Sequence, residues 1–111
     1  MREHGCEHVI VTTDYRFAAG VRQHFGDGAD VIVDGLGDAA FEENFEALAP
    51  CGHWISLGQA SGPPRPVDPG LLVHKSATFS RPVAFAYVAT RARLAERAQR
   101  VWDALADGTL D

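Results

Sequence analysis

The chain is short of positive charge: ten lysines and arginines stand against fifteen aspartates and glutamates in 111 residues, a net charge of -5. With its basic residues scattered, it offers no footprint for nucleic acid, which needs a basic patch. No apolar run approaches the roughly 20 residues of a membrane-spanning helix, and the polar opening Met1-Arg2-Glu3-His4 is unlike a secretory signal. A cytoplasmic protein with no membrane partner is the expectation. Cysteine is scarce: Cys6 and Cys51 are spaced neither as a CxxC redox pair nor as zinc ligands, and read as free thiols. Of the histidines only His4 and His8 stand four apart, with Gly5 between them and a strand-like run beginning at His8, which argues against a helical metal pair. No Ser-His-Asp or Cys-His nucleophilic arrangement assembles from these residues, and none is assigned as catalytic. Also missing is a glycine-rich phosphate cradle near the start of the chain.

What is present alternates between short β-branched runs and amphipathic stretches. Val9-Ile10-Val11 reads as a strand, and Asp14 as the N-cap of a helix to Phe25 with Phe17, Val21 and Phe25 on one face. Gly26-Asp27-Gly28 ends that helix, and Ala29-Asp30-Val31-Ile32-Val33-Asp34, apolar on both faces, belongs inside a parallel sheet. After Gly35-Leu36-Gly37, Asp38 is placed to cap a helix carrying Phe41, Phe45 and Leu48, which Pro50 and Gly52 stop. His53 to Leu57 is the next strand. The proline-dense Gly62-Pro63-Pro64-Arg65-Pro66 predicts an extended surface loop that continues through Val67-Asp68-Pro69-Gly70. Leu71-Leu72-Val73 is short and apolar, and Ser76 to Ser80 reads as a strand ended by Arg81-Pro82. Thr90 caps a last helix whose stripe of Leu94, Ala98, Val101, Trp102 and Leu105 predicts core, with Gly108 as its stop. The alternation predicts one α/β domain over residues 1–111, on a parallel sheet of about four strands with flanking helices.

Two stretches carry chemistry. In Trp54-Ile55-Ser56-Leu57-Gly58-Gln59-Ala60-Ser61-Gly62 an apolar strand runs into a loop of small residues. Ligands of open α/β sheets bind beyond the carboxyl ends of strands, where such loops let backbone approach a cofactor closely. Gly35-Leu36-Gly37-Asp38-Ala39-Ala40 matches the dinucleotide pattern G-x-G-x-x-A after a strand and before a helix, and leaves two readings open: a packing turn or a pyrophosphate site. The acidic ribose-binding residue expected about 20 positions later is absent, Gly58 and Gln59 standing there.

Together these segments resemble the zinc-independent quinone oxidoreductases of the medium-chain dehydrogenase/reductase superfamily. The likeness runs through His8-Val9-Ile10, Asp30-Val31-Ile32-Val33-Asp34-Gly35-Leu36-Gly37, Phe41 to Leu48 and Ile55 to Gly62. It continues through Gly70-Leu71-Leu72, Lys75-Ser76, Ser80-Arg81-Pro82, Tyr87-Val88-Ala89-Thr90-Arg91 and Gly108-Thr109-Leu110. It covers nearly the whole chain but only the last third of a family member. The resemblance implies a partial Rossmann-like fold lacking the first βαβ unit, the pyrophosphate loop and the catalytic domain. It also implies hydride transfer from NADPH to a quinone or similar acceptor, without zinc. Leu36, Gly58, Gln59, Ala60, Ser61, Ser80, Arg81 and Pro82 would line the nicotinamide half of the cofactor. NADPH would belong to the full-length enzyme, the 111 residues alone being inactive and binding none. A homodimer would form through the edge strand Ser76 to Ser80. Thr12 stands where the family often has a tyrosine of the 2′-phosphate pocket, which leaves NADPH against NADH open. Two other readings stand beside this one: a stand-alone nucleotide- or phosphate-binding module using Gly35 to Ala40, and a fragment of a sibling enoyl reductase. Without the first two strands of the nucleotide fold, Val9–Val11 would lie roughly 14 Å from Val31–Val33. That apolar edge should take up the first strand or pair with another chain.

Overall fold

A computed structural model of the chain describes residues 5–110. Three parallel strands form its centre, β1 (Ala29–Asp34), β2 (Leu48–Ser56) and β3 (Thr78–Ser80), in the order β1-β2-β3. α1 (Ala18–Phe25) leads into β1, and a 3-10 turn (Asp38–Ala40) with α2 (Phe41–Ala47) crosses from β1 to β2. α3 (Pro69–Val73) precedes β3, and α4 (Ala84–Tyr87) and α5 (Arg91–Ala106) follow it. The expected α/β class is the one observed. Trp54 is fully buried on β2, edge-on to Phe41 of α2 and Phe79 of β3 at ring-centroid distances of 5.3 and 5.0 Å. These rings tie two strands and a helix into one small core.

The sheet has three strands among the described residues, and residues 9–11 are not in it. Ile10 packs instead into the space left by Gly20 of α1, and the His8 ring stacks on His24 at 4.1 Å. A three-residue strand gains few ladder bonds, whereas ring stacking and an apolar contact on α1 require no register. β1 is therefore an edge rather than an interior strand, with Val31 57% and Val33 63% exposed on its uncovered face.

β2 starts five residues before the expected His53. α2 does end before Pro50 and Gly52, while Leu48, expected on that helix, opens the strand; Pro50 and Gly52 sit in a bulge of β2, where the register jumps from Ala29↔Leu48 to Val31↔His53 and Cys51 takes φ 60°. Bulges are where a sheet tolerates proline. At the other side β3 is shorter than Ser76 to Ser80, because Ser76 turns at φ 50° and extended pairing begins at Thr78.

Helix ends depart from the local reading in a consistent way. Asp14 does not cap α1: its carboxylate accepts from Thr12 Oγ1 (2.7 Å) and the Arg16 amide (3.1 Å), and Tyr15 turns the chain at φ 62°. The cap comes from α2, where Glu43 Oε2 accepts from the Phe17 and Ala18 amides at 2.7 Å each. Asp38 caps nothing and pairs with Arg65. At the C-terminus of α2, Lys75 Nζ donates to the carbonyls of Phe45 (2.7 Å), Glu46 (3.1 Å) and Leu48 (2.6 Å). Pro69 and Gly70, expected in the extended surface loop, and the short apolar Leu71-Leu72-Val73 together form α3, because Asp68 accepts from the Gly70 amide and Pro69 occupies the first turn. Thr90 does cap α5, accepting from the Arg93 amide at 3.3 Å.

The stripe on α5 is not core. Leu94, Val101, Trp102 and Leu105 are 52, 50, 64 and 44% exposed, and no residue of α5 is buried. Amphipathic spacing shows that a helix has a face for a partner, and residues 5–110 contain no layer that reaches it.

Candidate functional site

Because all three strands run the same way, their carboxyl ends meet at one edge, and the segments beyond them converge. The turns after β1 and β2 are laced together by backbone. The Asp34 carbonyl accepts from the amides of Leu57 (2.8 Å) and Gly58 (3.1 Å), and the Gly35 carbonyl accepts from Ala60 (3.2 Å). The Leu36 carbonyl accepts from both the amide (2.8 Å) and the hydroxyl (2.7 Å) of Ser61, whose Oγ in turn accepts from the Ala39 amide at 3.0 Å. Gly62 donates to Gln59 and accepts from Asp38. A side chain at position 58 would strike the Gly35 carbonyl, and one at position 37 (φ 89°) the Gly62 carbonyl, so glycine is required at both.

The third strand joins through side chains. Arg81 Nη2 donates to Gln59 Oε1 at 2.7 Å, and one residue earlier Ser80 Oγ lies 2.7 Å from His53 Nε2. Leu36, Gly58, Gln59, Ala60, Ser61 and Arg81 thus form one connected surface, with Ser80 and Pro82 on either side of Arg81 in the chain. Several backbone groups of this surface are engaged by the turns themselves. Leu36 has its amide and its carbonyl both taken, so only its side chain is free to meet a ligand.

Two positions that shape this surface escape the sequence reading. Asp34, only 4% exposed, accepts with Oδ1 from the amides of Leu36 (2.8 Å) and Gly37 (3.3 Å). An aspartate just before Gly-x-Gly is an Asx-turn signal, and would have found it. Arg65, inside the proline-rich loop, pairs with Asp38 (Nε to Oδ1, 2.6 Å) and Glu42 and lies over the Phe41 ring at 5.5 Å. It pins that loop beside the site, and no local pattern announces it.

The geometry suits some groups and not others. A flat, amide-bearing ring fits a wall of small residues backed by fixed carbonyls and a glutamine–arginine pair. A diphosphate does not fit the Gly35–Ala40 turn: its amides already serve a carboxylate, and the hollow at Gly37 is filled by the Gly62 carbonyl. Of the two readings of that G-x-G-x-x-A pattern, these contacts favour the packing turn.

The profile of the zinc-binding dehydrogenase family matches residues 4–111. The chain belongs to that family. The quinone oxidoreductase of Salmonella typhimurium is 30% identical over 86 residues, 77% of this chain and 26% of that protein. A mycobacterial quinone oxidoreductase superposes with a TM-score of 0.85 at 30% identity, covering 99% of this chain and 35% of that one. The Escherichia coli quinone oxidoreductase complexed with NADPH superposes with a TM-score of 0.77 at 26% identity, over 86% of this chain and 30% of that one. The family membership agrees with the medium-chain dehydrogenase/reductase resemblance read from the residues. The chain spans about a third or less of the length of these relatives. Among the described residues no three His, Cys, Asp or Glu side chains gather as a metal cluster, and no helix is long and apolar enough to cross a membrane.

Proposed function

We infer that this chain supplies the nicotinamide-facing wall of an NADPH-dependent quinone oxidoreductase that works without zinc. Leu36, Gly58, Gln59, Ala60, Ser61, Ser80, Arg81 and Pro82 form the wall, in a cytoplasmic enzyme that pairs through the edge at residues 76–80. The convergence of the turns after β1 and β2 with Arg81, fixed by the Arg81–Gln59 hydrogen bond, is the observation that carries this reading. Likeness to quinone oxidoreductases, one of them complexed with NADPH, supports the cofactor and the acceptor class. When bound, the nicotinamide supplies the hydride. The contribution of these residues is orientation: a laced backbone presents one face to the ring, and fixing that face reduces the entropy lost on reaching the reactive geometry. The diphosphate anchor lies outside these residues, so the chain alone holds the ring weakly and is inactive.

Amide NMR of the labelled chain tests this. N-methylnicotinamide, which carries the ring without phosphates, is expected to shift Leu36, Gln59, Ala60 and Arg81 at about millimolar concentration, an affinity suited to so small a ligand. NADPH should bind no more than about tenfold tighter, since ring contacts dominate in both. Shifts confined to other faces would overturn the wall. Micromolar NADPH binding would overturn the missing anchor.

A further inference from the structure

The turn after β1 has the sequence of a phosphate cradle; the Gly62 carbonyl sits against Gly37, and one side chain occupies two of its amides. Asp34 closes β1 with its backbone in the ladder opposite Ser56 and its carboxylate folded over the next turn. Oδ1 takes the two amides that a phosphate oxygen would use, those of Leu36 and Gly37. The carbonyl of the same residue holds Leu57 and Gly58, the first two residues of the opposing turn. Four hydrogen bonds thus run from one residue into both halves of the wall. Oδ2 and the Ser56 hydroxyl, side by side on adjacent strands, are buried and lack partners among the described residues. The cost of burying these atoms is borne at this spot, and what offsets it is the hold on the two turns.

We propose that Asp34 is a positioning and specificity-determining residue: its carboxylate fills the amide cradle of the Gly35-Leu36-Gly37 turn, excludes phosphate from it, and sets the turn as a rigid support for the ring-facing wall. Its role toward the ring rests on the reading above; its hold on the cradle does not. A phosphate approaching the wild-type turn meets a negative side chain and two donors already engaged. Shortening the side chain frees both donors at once.

The experiment compares wild type, Asp34→Ala and Asp34→Asn by amide NMR with inorganic phosphate as the probe, and by amide hydrogen exchange. Wild type should show no phosphate response at Leu36 or Gly37. Folded Asp34→Ala should gain a saturable response at both and exchange about tenfold faster there, and at Leu57 and Gly58. Asp34→Asn keeps an oxygen on the two amides, and its exchange at Leu36 and Gly37 should stay within about threefold of wild type. A phosphate response in wild type, or its absence in a folded Asp34→Ala, overturns the proposal. Should Asp34→Ala not fold, a tenfold exchange increase in Asp34→Asn overturns it by itself, and protected amides support it. N-methylnicotinamide separates the two claims. If wild type ignores it while the phosphate arms behave as expected, the ring reading fails and the cradle claim stands; if the wild type responds and folded Asp34→Ala responds equally, Asp34 does not position the wall.

Discussion

At the scale of single residues, the side chains that matter most here act on backbone rather than on one another. Ser61 bridges the Leu36 carbonyl and the Ala39 amide, Asp34 engages two turns, and Lys75 collects three carbonyls at the end of α2. Lys75 also lies over the Phe45 ring at 5.3 Å. Partial burial disfavours its charged form and moves its pKa below the ordinary 10.5, with Glu46 pulling it back up and Arg22 pushing it further down. The sign for stability follows. Between the depressed native value and 10.5 the unfolded chain holds a proton that the native chain has released, so stability rises with pH across that window. Lys75→Met keeps the aliphatic stem, loses the three donors and removes that rise. Denaturant melts should show the variant less stable by about 2 kcal/mol near neutrality, since the carbonyls at the end of α2 lose a charged donor. Repeated toward pH 10, the melts should show a smaller gain for the variant than for wild type; equal slopes would assign the effect to another group.

Among elements, α1 and α2 are joined end to side. Glu43 reaches from α2 to the first amides of α1, and Arg22 returns from α1 to the Glu46 carbonyl and carboxylate. A carboxylate on two N-terminal amides satisfies orphan donors and meets the positive end of the helix dipole. Glu43→Ala should therefore cost about 2 kcal/mol in a thermal or denaturant melt and loosen α1 first, while Glu43→Gln keeps an oxygen and should cost about half. Equal losses in the two variants would make the charge, not the hydrogen bonds, the source.

Such long-range caps mark the limit of what sequence could tell. The strand at Ala29–Asp34 was legible because its apolar run ends on turn glycines, and α5 because Thr90 and Gly108 bracket a regular stripe. Glu43 stands 26 residues from the amide it caps, and Lys75 30 residues from the first carbonyl it holds. Neither leaves a local pattern, which is why Asp14 and Asp38 looked like caps and are not. Pro50 and Gly52 read as the stop of α2, which does end at Ala47; that they also lie inside β2 could not be foreseen, because a bulge needs its partner strand. In the site, the glycines and small residues of 58–62 were readable as close-approach positions, whereas Arg65 became significant only once the loop folded back over Phe41.

The whole molecule is open. Its radius of gyration is 16.3 Å, against about 13 Å for a compact domain of this length. Two kinds of surface are open to the proposed association: the free edge of β3 at Thr78–Ser80, and the bare apolar stripe of α5 with Trp102 64% exposed. They act differently. A strand edge is directional, so it fixes a two-fold register, yet three residues offer only a few bonds of about 1 kcal/mol each against several kcal/mol of lost freedom. An apolar stripe contributes more, about 1 kcal/mol for each half-exposed side chain it buries, but without direction it favours mixed aggregates. The edge should therefore set the stoichiometry and the stripe the tendency to cluster. Thr78→Lys, which places like charges across the proposed two-fold edge, should weaken dimerisation by about fivefold in sedimentation equilibrium and leave hydrophobic dye binding unchanged. Trp102→Ser should do the reverse, lowering dye binding and large aggregates while the dimer persists. If Trp102→Ser alone returns the chain to a monomer, the interface is the helical face, and pairing through residues 76–80 is wrong.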